Sequence, residues 1–599
     1  MTEKLPEWDL TDLYPSPDSA EVKRDVLTVE RRSKAFERKY KGKVGSLTPA
    51  AFGKAVVAYE ALNEVLARLG TYAYLRHSTA LDDEETTAFF QNIQERANAI
   101  ESRLLFFDLE INLLSDERTA VLKKDAVVAR YAPWLDNVRW GREHRLNEDL
   151  ERLLLEKSVS GATAWTRLYD ETMANLRFSV AGKTLTEPEA VDLLFASDPA
   201  TRHAAGAEID RVFKNGAPVF SLITNTLAKD KQIEDKWRGF SRPVSARNIE
   251  NQLEDEVVDA LVDSVVAAYK NISHRYYALK ARWLGVDKLE YWDRNAPIPG
   301  LPEAAYSWDE AKKIVFDAYD EFSPVMSGIV QKFFDGGWID APAKPGKEGG
   351  AYAHPAVPSV HPYILLNYMN KAEDVMTLAH ELGHGIHQCL SYPQGLLLAD
   401  TPLTLAETAS VFGEMLTFKS MLRRESDPYA RFAMIAEKTG SMINTSVRQI
   451  AFHRFEEFVH GTRCEKGELS VAELNAMWLQ TQREALGDAV ICDERSSSSW
   501  SGVPHFIHSP FYVYAYAFGD CLVNSLYAVY EEGSFPDFAD RYVAMLSKGG
   551  SQRHKELLAP FGLDASKPDF WQKGLGVLSR FVDELEDLTA TLKIGSHAS

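Results

Sequence analysis

The chain has 599 residues, well beyond the ~250 to 300 at which a single hydrophobic core stops growing, so more than one domain or lobe is expected. Apolar residues make up 45%, aromatics 11% and charged residues 26%, which excludes a disordered or fibrous chain. Lys plus Arg number 67 against 87 Asp plus Glu, a formal charge of -20 that argues against nucleic-acid and anionic-membrane partners.

Cys389, Cys464, Cys492 and Cys521 lie far apart with no CxxC spacing, so neither a disulfide framework nor a thiolate metal site is expected. The opening "MTEKLPEWDLTDLYP" has acids where a signal peptide needs a basic and then an apolar region. No apolar run reaches the ~18 residues that span a membrane, and the expected location is the cytoplasm.

Along the chain, Ser16-Pro17, Thr48-Pro49 and Asp198-Pro199 each place a capping side chain before a proline at the first helical position, where its missing N–H costs nothing. Thr186 with Glu189, Ser307 with Glu310, and Ser470 with Glu473 have capping-box spacing. Phe52, Val56, Tyr59, Leu62, Leu66 and Leu69 repeat every three or four residues, as do Ile314, Ala318 and Phe322, the pattern of amphipathic helices. Strand-like alternation is confined to "LRFSVAGKTL" (176–185) and "SVHPYILLNY" (359–368). The expected fold class is therefore mainly α with a small β-sheet, divided near residue 190 into an N-terminal helical lobe (1–190) and a larger region (191–599).

Two irregular Pro/Gly-rich stretches follow, Tyr291–Tyr306 and Asp335–Pro362. The second is too long to be a mere connector. Its Gly349 and Gly350 suit either a loop that moves against a substrate or a structural turn. The strand after it, carrying His361 and Tyr363, suits either an edge to which an extended peptide adds or an ordinary buried strand.

The stretch "KAEDVMTLAHELGHGIHQCL" (371–390) sets three histidines and acids in an otherwise apolar helix, with Val375, Leu378, Ala379, Leu382 and Ile386 marking burial. Buried imidazoles and carboxylates need partners. His380, Glu381 and His384 spell H-E-x-x-H: residues four apart on a helix share a face, so both imidazoles can reach one ion. The intervening glutamate can take a proton from water at that ion. Catalytic zinc usually has three protein ligands. In "PLTLAETASVFGEML" (402–416), Glu407 and Glu414 are seven apart, on one helix face. Glu407, between Ala and Thr, is the expected third ligand. Glu414 suits a hydrogen bond to the free nitrogen of a ligating histidine or a surface ion pair. His387 and Gln388 are supporting or packing candidates.

"HELGHGIHQ" followed by "LAETASVFGE" resembles the M3 zinc metallopeptidases, the group that includes thimet oligopeptidase, neurolysin and oligoendopeptidase F, and is most similar to the last. "EWDLTDLYP", "YWDRNAPIP", "GGAY", "HPYILLNY" and "VPHFIHSPFYVYAYAFG" extend the resemblance over most of the chain. It implies a two-lobed helical protein with a deep channel that admits short peptides, and one Zn2+ per chain on His380, His384 and Glu407 with Glu381 as general base. It also implies a C-terminal histidine and tyrosines that contact the substrate carbonyl. Tyr512 and Tyr516 match the tyrosines, while both His505 and His508 match the histidine, His505 following "VP" as in the oligoendopeptidase pattern. Without the metal motif, "PFYVYAYAF" reads as an aromatic core segment.

The expected function is a zinc endopeptidase acting on oligopeptides. A dipeptidyl carboxypeptidase or carboxypeptidase would use the same metal chemistry with an anchor for the terminal carboxylate. A non-catalytic, zinc-containing peptide-binding protein is the alternative of another class. The sequence specifies no oligomeric state.

Overall fold

Residues 4–301 and 305–595 are described by a computed structural model, and most of them are helical. Residues 302–304 of the Pro/Gly-rich Tyr291–Tyr306 stretch lie outside the described residues. Helix starts follow local side-chain chemistry. Thr48 and Asp198 cap the helices Pro49–Ser78 and Pro199–Arg238, each with proline in the first turn. All three expected capping boxes form. Ser16-Pro17 is the exception: Ser16 closes a turn through its carbonyl to the Ser19 N–H, and Ser19 caps the helix Ala20–Tyr40 instead.

The stripe from Phe52 to Leu69 is buried as its period requires. In the helix Trp308–Phe322 the buried face runs through Ala311, Val315, Ala318, Tyr319 and Phe322, and Ile314 sits at its margin. All four cysteines are free. Among the described residues no helix is long and apolar enough to cross a membrane.

Among the described residues there are seven short strands: β1 (Phe178–Val180), β2 (Lys183–Leu185), β3 (Leu289–Glu290), β4 (Ile339–Pro342), β5 (Tyr352–His354), β6 (Tyr363–Tyr368) and β7 (Val490–Ile491). β1 and β2 form an antiparallel hairpin whose two turn residues, Ala181 (φ 50°) and Gly182 (φ 78°), are both left-handed, as a tight hairpin turn requires. β3 pairs with β7 in parallel. The third sheet runs β4-β6-β5, β6 being parallel to β4 and antiparallel to β5. The strand sequence considered for an edge is thus the central one, with both sides already paired; its nearly unbroken burial, Tyr363 to Leu366 and Tyr368, fits that place.

The residues group into two compact units. One comprises Met1–Arg142, Glu303–Arg424 and Gly533–Leu563, and the other Glu143–Pro302, Glu425–Glu532 and Asp564–Ser599. The expected boundary near 190 falls inside the helix Glu187–Asp192, within the second unit. Each core is completed by segments far apart in the chain, so no compositional step marks where the units part. In the first, Phe36 packs on Phe107 and Tyr59. In the second, Phe452, Phe455, Trp478 and Phe506 pack as an aromatic cluster.

Candidate metal centre

The helix Ala372–Ser391 begins where the Asp374 carboxylate accepts the N–H groups of Met369 and Lys371. Val375, Leu378, Ala379, Leu382 and Ile386 are fully buried, and Tyr319 donates its hydroxyl to the Ala379 carbonyl at 2.8 Å. The opposite face carries His380 and His384, whose side chains remain 27% and 20% exposed. The helix is anchored on one side and can meet solvent or a ligand on the other.

The neighbouring helix Thr408–Arg424 approaches unusually closely because Gly383 has no side chain: a Cβ there would fall onto the Ala409 carbonyl and lie 2.5 Å from Ser410 Cα. Glu407 occupies the junction between the short helix Leu403–Ala406 and this one, rather than a turn of one continuous helix. The Tyr542 hydroxyl, donating to the Thr408 carbonyl at 2.7 Å, fixes that junction.

The consequence is convergence. His380 Nε2 and His384 Nε2 lie 3.3 and 3.4 Å from the same atom, Glu407 Oε2, and one donor atom from each of the three residues fits within 4.8 Å of the others. Ser410 donates to Glu407 Oε2 at 2.6 Å, and Glu414 Oε2 lies 3.4 Å from His380 Nδ1. Gly383, Ser410 and Tyr542 escaped the sequence reading; the glycine inside H-E-x-x-H and the serine three residues after Glu407 were the available signals.

Glu381, only 6% exposed, has one carboxylate oxygen buried without a hydrogen-bond partner. Burial pushes its carboxyl above the ordinary value, against the pull of the two imidazoles. Burial by itself would lower the His380 imidazole, but Glu407 and Glu414 outweigh it and favour the protonated ring. Two nitrogens and one oxygen in this arrangement fit a divalent cation of the zinc type.

His387 faces elsewhere: 7% exposed, it lines a cavity of about 310 Å³ with His384, Gln388, Tyr392 and Asp400, and burial lowers its imidazole to about 4. Gln388 donates to the Ala353 carbonyl of β5 at 3.1 Å, tying the helix to the sheet. His361 and Tyr363 are not at an open edge. His361 is stacked on Trp338 with centroids 3.8 Å apart, and Tyr363 is fully buried, so neither is placed to touch a peptide lying on the sheet edge. Gly349 and Gly350 belong to a turn held by Asn367, which donates to the Glu348 and Gly350 carbonyls; Gly350 has φ 82°.

In the second unit, His505, Tyr512 and Tyr516 come together. His505 Nε2 is 3.2 Å from the Tyr516 hydroxyl, and the Tyr512 ring lies 5.9 Å from His505 and 5.3 Å from Tyr516. His508 turns away, with Nε2 2.8 Å from Asp170.

A mainly helical chain with H-E-x-x-H on one helix and a carboxylate donor delivered from the start of its neighbour is of the metallopeptidase class. The model of Peptidase family M3 matches residues 193–577, and that of Oligopeptidase F matches residues 110–178; the chain belongs to peptidase family M3. These matches part between 178 and 193, unlike the compact units. Oligopeptidase PepF of Bacillus subtilis (strain 168) is 25% identical, over 98% of this chain and 88% of that one. A solved structure from Chlamydophila abortus shares the fold with a TM-score of 0.88 at 22% identity, over 97% and 98% of the two chains. Oligoendopeptidase-F from Enterococcus faecium has a TM-score of 0.69 at 22% identity, over 95% and 99%.

Proposed function

We propose that this M3 peptidase is a zinc-dependent endopeptidase that hydrolyses internal bonds of short oligopeptides. One observation carries the reading: both imidazole Nε2 atoms face a single Glu407 oxygen, while Glu381, next to His380 in the same motif, keeps a buried carboxylate oxygen without a partner. The relatives' names, oligopeptidase and oligoendopeptidase, support the substrate class.

His380, His384 and Glu407 would hold one zinc ion per chain. Bound there, zinc acidifies water and polarises a carbonyl. The Glu381 carboxylate accepts the proton of the attacking water and delivers it to the leaving amide nitrogen. Glu414 accepts from His380 Nδ1–H, which leaves Nε2 as the donor atom turned to the ion. His505 and the hydroxyls of Tyr512 and Tyr516 donate to the carbonyl oxygen as it gains charge, each worth roughly 3 kcal/mol. Four free cysteines suit a reducing compartment, in keeping with cytoplasmic residence.

Metal content and cleavage of a short internally quenched peptide, blocked at both ends, test this for the wild type and Glu381→Gln. One zinc per chain in both, with internal cleavage by the wild type only, supports the proposal. Cleavage restricted to peptides with a free carboxylate would make the enzyme a carboxypeptidase or dipeptidyl carboxypeptidase. Zinc binding with no cleavage of either substrate would leave a peptide-binding protein.

A further inference from the structure

Tyr512 lies outside regular helix, in the link between the helices His505–His508 and Tyr514–Glu531. The residue before it, Phe511, has φ 60°, a left-handed backbone that bulky side chains rarely adopt. Something must hold it there.

Both polar groups of the Pro510–Phe511 peptide are gripped. Arg247 Nε donates to the Pro510 carbonyl at 3.2 Å, and Glu456 Oε1 accepts the Phe511 N–H at 2.7 Å. Glu456 is 2% exposed, and its second oxygen is buried without a partner. The Phe511 ring, 1% exposed, packs against His453 and His460, the two imidazoles that flank Glu456 on the helix Val447–Lys466. Arg247 also lies over the Tyr512 ring, 5.9 Å from its centroid. Just beyond, Asn251 donates to the Tyr514 hydroxyl at 2.8 Å. A buried carboxyl satisfied by one main-chain N–H is a costly way to gain stability alone. What this one secures is a single backbone geometry immediately before Tyr512.

We propose that Glu456 and Arg247 are positioning residues, clamping the Pro510–Phe511 peptide so that Tyr512 meets the substrate carbonyl in one orientation. The inference rests on the role given above to Tyr512, and that role can fail separately.

The test compares Glu456→Gln, Glu456→Leu, Arg247→Met, Tyr512→Phe and the Glu456→Leu/Tyr512→Phe double variant, all in the full zinc-loaded chain, cleaving the blocked peptide. Gln keeps an acceptor for the Phe511 N–H, so Glu456→Gln is expected within about 3-fold of wild-type kcat. Glu456→Leu should lower kcat by about 10- to 100-fold with KM and zinc content nearly unchanged. In the Tyr512→Phe background the same substitution should cost no more than about 3-fold further, because the group it positions is gone. An equal loss in both backgrounds, or full activity of Glu456→Leu and Arg247→Met, would overturn the clamp. If Glu456→Leu fails to fold, Arg247→Met, made singly and with Tyr512→Phe, decides by the same comparison. Full activity of Tyr512→Phe would overturn the role of Tyr512, and the clamp with it; loss in Tyr512→Phe alone would overturn only the clamp.

Discussion

Ser410 donates its hydroxyl to Glu407 Oε2, the same oxygen that both imidazoles face. A side chain one turn along thereby holds the carboxylate in the orientation a ligand needs. Ser410→Ala is expected to weaken zinc binding by about 10- to 100-fold while leaving the fold intact. Competition against a chromogenic chelator measures this, and unchanged affinity would mean that the carboxylate needs no such support.

Gly383 sets the distance between the two helices of the site. An added Cβ meets backbone, the Ala409 carbonyl and Ser410 Cα, which cannot swing aside as a side chain can. Gly383→Ala should therefore destabilise the protein by about 3 kcal/mol in urea unfolding and lower zinc affinity together. A normal unfolding midpoint would show that the helices can part without cost.

The sheet beside the metal helix has its own buried ion pair. Lys347 donates to Asp340 Oδ1 at 2.7 Å and to the carbonyls of Pro342 and Leu366 at 2.8 and 2.6 Å, with its side chain fully buried. Burial pushes the Lys347 amine below its ordinary value, opposed by the Asp340 bond. Lys347→Ala leaves Asp340 buried and unpaired, and should cost about 3–5 kcal/mol in denaturant unfolding. Adding Asp340→Leu to Lys347→Met should recover part of that loss; no recovery would point to the carbonyl bonds as the larger contribution.

Burial raises the Glu456 carboxyl from 4.5 to about 8, opposed by the Phe511 N–H, Arg247 and Lys231 and assisted by Glu457. Between these values the native chain keeps a proton that the unfolded chain has lost. The stability contributed by this group is thus complete below pH 4.5 and disappears as pH rises to about 8, with a slope of at most about 1.4 kcal/mol per pH unit. Glu456→Gln cannot titrate, so its unfolding free energy should gain on the wild type across that window. A difference that stays flat with pH would refute the assignment.

Much of the local architecture could be read from the chain itself. Capping boxes, the proline starts at Pro49 and Pro199 and the shared face of His380 and His384 all depend on residues within about four positions of one another, so their physics is complete in a short window. Only the tertiary structure decided that β6 is a central strand, that His361 and Tyr363 are enclosed, that His505 rather than His508 joins the tyrosines, and that each compact unit draws on three separate stretches. Those outcomes depend on which distant segment pairs with or covers a residue: Trp338 over His361, Asp170 beside His508, β4 and β5 on either side of β6. Burial and partnership of this kind arise from contacts across tens to hundreds of residues, and such contacts leave no periodic trace at the positions they govern.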